Sequence, residues 1–390
     1  MKLTKSFFNI YKYDKDKYSL FYVLLFWCVV LEVVGLADNI CLTDVLYFFV
    51  AVYFFFKFIR TKKKSSYRYF IFPVLFALIG LYGYTRFGMT KMFMSQLRFV
   101  FNCSVFACLM SYFINSDIRK REKLVNSYLY VCLICSTFLV FQFLSFYLLG
   151  INLKFDIGEF NAASSEVYSA TAQYRTGGFF NEPSWFALFM GPSLDIAYRQ
   201  NKWNELVVFI TGLILSTSNM GFLFISFFMF SKIRGTKLKY VVGGVLLILI
   251  TFIAFPYAFN RLFEALTFDG EVSDSNNARV VEPLIESFLE NAISPLGINT
   301  DMIYYVNEDI FLNTFVFVLL SFGILGLFLF LKLLLQKKCF VISLILFSAV
   351  LIEGCYGRID FWMTVLAASV FSSVYNDKIC FNRITKMYYV

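Results

Sequence analysis

The sequence predicts an all-α polytopic membrane protein with about twelve transmembrane helices and both termini inside. Three observations carry that prediction. The 390 residues are 59% hydrophobic and only 16% charged, with mean hydropathy +0.69, which is more apolar surface than a soluble core can hide. Apolar runs recur along the whole length with no polar block of domain size, so residues 1–390 read as a single transmembrane domain. The basic residues cluster between alternate runs, as they do where one face of a membrane retains positive charge.

Taken in order, the apolar runs bounded by charge are 19–37, 43–59, 70–87, 97–115, 127–150, 184–198, 205–217, 219–231, 240–257, 309–333, 340–354 and 361–375. The first follows MKLTKSFFNIYKYDKDKY without a convincing small-residue cleavage site, so it reads as a retained helix and not a signal peptide. Several runs fall short of the roughly 20 residues that cross the hydrocarbon. The pair 205–231 is joined by LSTSNMG, either a tight turn between short helices or a re-entrant break.

With the N-terminus inside, the segments Lys2–Lys17, Lys57–Arg68, Arg119–Lys123, Arg199–Lys202, Lys232–Lys239, Lys332–Lys338 and Lys378–Lys386 are all cytoplasmic and hold 27 of the 35 Lys and Arg. Arg86, Lys91, Arg98, Lys154, Arg175, Arg261, Arg279 and Arg358 fall outside or near the outer ends. The net charge of +9 is then mostly a topology signal, with some attraction to anionic lipid, and nucleic acid is not an expected partner. The nine cysteines lie mostly in apolar runs, where they act as small hydrophobes. Cys132 and Cys135 read as packing within a helix, and Cys41 and Cys355, near proposed external loops, are the one pair placed to bridge. The chain has no histidine, which removes the commonest general base and metal ligand.

Two external loops are long, about 151–183 and 258–308, and short amphipathic helices are expected in them. The first ends in YRTGGFFNEPSWFA, residues 174–187. Gly177 and Gly178 permit a tight turn, and Pro183 suits the first turn of a helix running inward from Ser184. That helix points its positive end at the external surface, and Arg175 adds a fork suited to phosphate. Glu182 either serves as a general base or holds Arg175; a structural capping role is the lesser alternative for the motif as a whole. In the second loop Glu282, Glu286 and Glu290 recur opposite Leu284, Ile285, Phe288 and Leu289, an amphipathic helix whose acidic stripe reads as a solvated face more readily than as a metal site. Arg279 precedes it behind DSNN, free to swing onto an anionic head group.

Ser216–Asn219 mark the outer end of the short pair, with a turn and helix cap as the plain reading. Asn313 lies about a turn inside the outer boundary of a late helix and needs a polar partner, while Gly323 and Gly326 allow close helix packing. Arg358 and Asp360, in CYGRID, read as a local ion pair. Arg86 and Arg98 are open between lipid phosphate and substrate. The uneven loops and the lack of matching halves argue against a repeat-built transporter.

The pattern Arg-x-x-Gly-x-Phe-x-Glu-Pro-Ser from Arg175 to Ser184 resembles the signature of Wzy-type O-antigen and capsule polymerases. The likeness continues through Leu215-Ser216-Thr217-Ser218 to Gly221, Arg279 with Pro295-Leu296-Gly297, and Asn313 with Gly323 and Gly326, covering roughly residues 174–330 in order. The resemblance implies a GT-C-like glycosyltransferase in the cytoplasmic membrane. It would act on undecaprenyl-diphosphate-linked oligosaccharide donors and acceptors at the outer face, with a chain-length regulator protein as a further partner and no cofactor. It makes Glu182, Arg175 and Arg279 catalytic, the arginines gripping the donor diphosphate, and puts Gly177, Gly178, Ser184, Ser218, Asn313 and Arg358 at the substrate.

One departure matters. The related ligases place a histidine just before the Asn that opens the late helix, where this chain has Leu312. That favours polymerase over ligase and leaves Glu182 as leading base, with Glu308 and Asp309 behind it. A further glycosyltransferase class uses an acidic metal-binding motif in its first external loop; here that loop, about 38–42, has Asp38 as its single acid, so metal-independent chemistry is expected. A flippase of lipid-linked sugars is the rival from another class.

Overall fold

The computed structural model describes residues 16–33, 35–37, 40–61, 64–87, 91–153, 156–157, 160–161, 167–168, 173–174, 176–180, 182–232, 312–336 and 339–388. Among them the helices are α1 (Leu20–Trp27), α2 (Leu42–Thr61), α3 (Ile71–Phe87), α4 (Lys91–Ile114), α5 (Ile118–Leu149), α6 (Pro183–Arg199), α7 (Trp203–Leu215), α8 (Asn219–Lys232), α9 (Thr314–Leu334), α10 (Phe340–Ile352) and α11 (Ile359–Tyr388). Apart from 19–37, the expected runs inside these residues are helical over most of their length. The run 240–257, the whole of the second long loop and the residues Lys154, Arg175, Arg261 and Arg279 lie outside them, as do Glu282, Glu286, Glu290, Glu308 and Asp309. Arg86 belongs to α3, with its side chain outside the described set.

Among the described residues five stretches are long and apolar enough to cross a membrane: Leu42–Arg60, Tyr67–Thr85, Phe93–Ile114, Ile118–Leu149 and Thr314–Leu334. In the first, only 22% of the most apolar window is buried, so Phe48, Phe49 and Phe56 point outward. An apolar helix with apolar residues on its outer face is stable in lipid and not in water.

Two boundaries depart from expectation. The run 19–37 is not one helix: α1 ends at Trp27 and tightens into a 3₁₀ segment, Cys28–Val33, after which Gly35–Ala37 (β1) pairs antiparallel with Ile40–Cys41 (β2). The β-branched pairs Val29-Val30 and Val33-Val34, followed by Gly35, disfavour further α-helix. The first long loop carries two short antiparallel ladders, Asp156–Ile157 (β3) with Phe160–Asn161 (β4) and Val167–Tyr168 (β5) with Gln173–Tyr174 (β6), where short helices were expected. Its aromatic and β-branched residues favour extended backbone.

The helices divide into two compact units, each assembled from separate stretches of chain: residues 1–43 with 122–267, and 44–121 with 268–390. In the first unit α6 packs on α7 and α8, around a core that includes Phe26, Tyr128, Phe186 and Phe189. Gly212 brings α7 against α5: a methyl group there would lie 2.9 Å from Ser136 Oγ. In the second unit α3 and α11 pack on α4, and α9 on α3 and α10. Phe99 is the centre of that core, its ring within 5.0–6.1 Å of Phe76, Phe317, Phe322, Phe330 and Trp362.

α9 is broken. Gly323 has φ 68° and ψ −171°, a conformation open in practice only to glycine, so it serves as a hinge in the helix, whereas packing was expected of it. The break disturbs the carbonyl ladder, and Gln96 Nε2 donates to the Ser321 carbonyl at 3.0 Å. Gly326 has the expected packing role, its Cα lying close against Phe322 and Phe76.

Candidate functional site

The motif from Thr176 to Ser184 is held from below by α5. Thr176 is fully buried; its hydroxyl donates to Gln142 Oε1 at 2.6 Å and accepts from the Gly178 N–H at 3.1 Å, while Gln142 Nε2 donates to the Leu153 carbonyl at 2.9 Å. One glutamine thereby ties both ends of the first long loop to the same helix. Gly178 turns the chain with φ 70°, and the Phe180 N–H closes the turn on the Gly177 carbonyl at 3.1 Å. A methyl group on Gly177 would lie 2.5 Å from the Phe180 carbonyl oxygen and 2.8 Å from the Glu182 carbonyl, so the turn admits no side chain there. Phe179 stacks on Phe138 at 4.0 Å with its edge to Trp27, and Phe180 packs on Phe186 and Phe189.

This anchored turn delivers Glu182 to the N-cap of α6, with Pro183 in the first turn. The Glu182 carbonyl accepts from the Trp185 and Phe186 N–H groups at 3.1 and 3.2 Å. Its carboxylate makes no cap bond; it lies exposed and accepts from the Ser184 hydroxyl at 3.2 Å. The result is an exposed carboxylate, with a hydroxyl beside it, at the positive end of a helix that is buried from Phe186 onward.

Ser216, Thr217 and Ser218 lie at the same end. α7 runs antiparallel to α6, and Gly212 meets the Phe186 ring, so the residues one turn further along α7 rise to the level of Glu182. Ser216 caps α7, its hydroxyl donating to the Leu213 carbonyl at 2.8 Å and accepting from the Ser218 N–H at 3.4 Å; the Ser218 carbonyl then receives the Phe222 N–H at 3.1 Å. The linker is therefore a tight turn between two helices. Thr217 stands out within it: its φ is 52°, and its buried hydroxyl has no hydrogen-bond partner among the described residues. A β-branched residue in left-handed backbone is strained. Spacing gave no hint of this, because the strain lies in a dihedral angle and not in a residue pattern.

At the opposite end of α6, Asp195 is fully buried between Arg199, whose Nε lies 2.7 Å from Oδ2, and Lys232, whose Nζ lies 2.8 Å from Oδ1. Lys232 also sits 4.1 Å above the Tyr198 ring. The cluster fastens α8 to α6. Nearby, in the turn between α6 and α7, Lys202 donates to Asn126 Oδ1 at 2.9 Å. Burial, with the Lys17 charge adding to it and Glu205 opposing, pushes its ammonium pKa down to about 8.

In the second unit Asn313 caps α9, its Oδ1 accepting from the Val316 N–H at 2.8 Å and its Nδ2 donating to the Leu351 carbonyl at 2.6 Å. Both ends of the expected polar residue are engaged within the fold. The loop after α10 is fastened alongside: Thr314 Oγ1 donates to the Glu353 carbonyl at 2.8 Å and receives the Cys355 N–H at 2.7 Å, and Tyr356 stacks on Phe317 at 3.8 Å. Burial raises the Tyr356 phenol pKa, with the Arg98 charge opposing. Arg358 pairs with buried Asp360 through Nε at 3.1 and 3.2 Å and Nη2 at 2.5 Å, the local ion pair expected. Arg98 lies 3.5 Å from Asp44, and Gly357 packs on the Arg98 side chain.

Cys41 and Cys355 form no disulfide; Cys355 instead contacts Thr314 Oγ1 at 3.0 Å. Cys132 and Cys135 are buried and free within α5. No cluster of three or more His, Cys, Asp or Glu suited to a metal occurs among the described residues.

Helices of spanning length with outward-facing apolar side chains define a membrane-embedded helical protein. No family model, curated protein or solved structure matches the chain.

Proposed function

We propose that the chain polymerises undecaprenyl-diphosphate-linked oligosaccharide repeat units at the outer face of the cytoplasmic membrane. In this reading it is a metal-independent GT-C-like glycosyltransferase with about twelve spans and both termini inside. The observation that carries the proposal is the ordered motif from Arg175 to Ser184, supported by its geometry: a turn without room for side chains presents the exposed Glu182 carboxylate at the positive end of α6.

The reaction is a direct displacement. An acceptor sugar hydroxyl forms a bond to the donor's anomeric carbon as the bond from that carbon to the diphosphate oxygen breaks. The hydroxyl proton passes to Glu182, and the bonding electrons leave with the diphosphate. Arg175 and Arg279, with the α6 N-terminus, neutralise the growing charge on the leaving group. The diphosphate is already a good leaving group, so positioning and neutralisation are the main requirements. Ser184, hydrogen-bonded to Glu182, orients the carboxylate. Gly177, Gly178 and Ser218 shape the same end of the unit, and Asn313 and Arg358 are assigned to substrate by the resemblance.

The test is reconstitution of the purified chain with lipid-linked repeat units. A polymerase yields a ladder of products, a transporter leaves unit length unchanged, and a ligase transfers finished glycan only to a different acceptor. Arg175→Ala or Arg279→Ala should each lower the rate by roughly 10²–10³-fold. Normal chain length with both substitutions would show the diphosphate role to be wrong.

A further inference from the structure

The second unit contains a cavity of about 570 Å³ among α3, α4, α9, α11 and the 3₁₀ segment Lys64–Phe70. The volume is that of a small-molecule site, and the lining is mixed. Phe106, Met110 and Leu329 supply apolar wall, while Arg68, Lys332, Gln336 and Asp377 supply polar and charged groups beside a row of serines on α11. Ile71 and Leu335, also in the wall, are exposed, so the cavity reaches the surface beside apolar side chains.

The charges in the wall do not cancel. Asp377 is neutralised by Arg121, which lies 2.8 Å away and also donates to Ser373 Oγ at 3.0 Å. Gln336 is fixed by its bond to Ser369 Oγ at 3.0 Å and by the Ser343 hydroxyl on its N–H at 2.7 Å. Arg68 donates to the Tyr69 hydroxyl at 3.1 Å and lies over the same ring. Among the described residues neither Arg68 nor Lys332 pairs with a carboxylate. Apolar wall, an opening beside exposed apolar side chains and two cations without a carboxylate partner match a single amphiphile: an acyl chain with a phosphate at its head.

We infer that this cavity is a binding site for an anionic glycerophospholipid, with the phosphate between Arg68 and Lys332 and one acyl chain beside Phe106 and Met110. Two juxtamembrane cations, at the factor of about five that each contributes, give about 25-fold preference over a zwitterionic lipid. The inference concerns a different unit from the Glu182 motif and stands whether or not the chain is a polymerase.

Trp362 supplies the test, because its ring lies 5.8 Å from that of Phe106. The full chain with Trp27→Phe, Trp185→Phe and Trp203→Phe keeps Trp362 as its one indole. In phosphatidylcholine vesicles, phosphatidylglycerol brominated on its acyl chains should quench Trp362 at about 25-fold lower mole fraction than brominated phosphatidylcholine. The joint substitution Arg68→Gln and Lys332→Gln should remove that difference, as should salt near 1 M, where screening acts within about 3 Å. Equal quenching by the two lipids, or a preference that survives high salt, overturns the anionic site; absence of quenching by either overturns the acyl-chain placement. The salt arm decides the matter even if the double variant fails to fold.

Discussion

Nothing in the described fold uses the Glu182 carboxylate beyond the Ser184 hydroxyl. On the proposed function, Glu182→Gln keeps the shape and removes the base, so polymerisation should fall by about 10²-fold or more, while Glu182→Asp retains part of it. Comparable rates for the Gln variant and the parent, in the reconstituted assay, would assign the residue to positioning. Gly177→Ala should lower the yield of folded protein, because its methyl group collides with backbone atoms that cannot yield. Thr217→Gly should relieve left-handed strain and raise thermal stability by about 1 kcal/mol; a simultaneous loss of activity would mark that strain as functional. Lys202 yields a pH dependence. Its folded pKa of about 8 lies below the ordinary value of 10.5, so the unfolded chain binds more protons between those limits, and stability rises with pH across that window. Lys202→Met should remove the slope in a melting series from pH 7 to 10. The turn at Gly177 and Gly178 and the place of Glu182 at the start of α6 were legible in the sequence because residue type and spacing mark them. Gln96 was not, because its partner, Ser321, is 225 positions away.

Among the elements, α6 and α9 show two different uses of special residues. Pro192 lies inside α6, where the missing N–H loosens the ladder, and in that turn Tyr128 donates to the Phe189 carbonyl at 2.5 Å. The helix continues to Arg199 because the buried Asp195 clamp holds its far end. Asp195→Asn leaves two cations facing a neutral amide and should cost about 3 kcal/mol or more, read as a fall in melting temperature in detergent. α9 breaks at Gly323, and Gly323→Ala should destabilise by about 1 to 3 kcal/mol, since alanine cannot hold that backbone. The positions of these helices follow from apolar runs and flanking charge. The break does not, because a glycine inside an apolar run reads equally as a packing position, and only the dihedral angles distinguish a hinge. The same limit applies to 19–37, where hydropathy measures length but not the change from α-helix to 3₁₀ and strand.

For the whole molecule, membrane character was fully legible, because composition alone decides it. The division into two discontinuous units was not, since hydropathy records where helices lie and not which of them pack together. On the proposed orientation, single cysteines placed at Ser184 and at Asn201 in an otherwise cysteine-free chain should differ in labelling by a membrane-impermeant maleimide. Ser184 should react in intact cells and Asn201 only after permeabilisation; the reverse pattern would invert the topology. The discontinuity also constrains biosynthesis. Residues 44–121 separate the two parts of the first unit, and at about 5–20 residues per second the ribosome needs roughly 4 to 16 s to deliver them. Over that interval Phe26 has emerged while its aromatic partner Tyr128, 5.3 Å away in the finished fold, has not. The nascent α1 must therefore wait in lipid or beside the insertion machinery, and a slowed ribosome would prolong the exposure of an unfinished bundle.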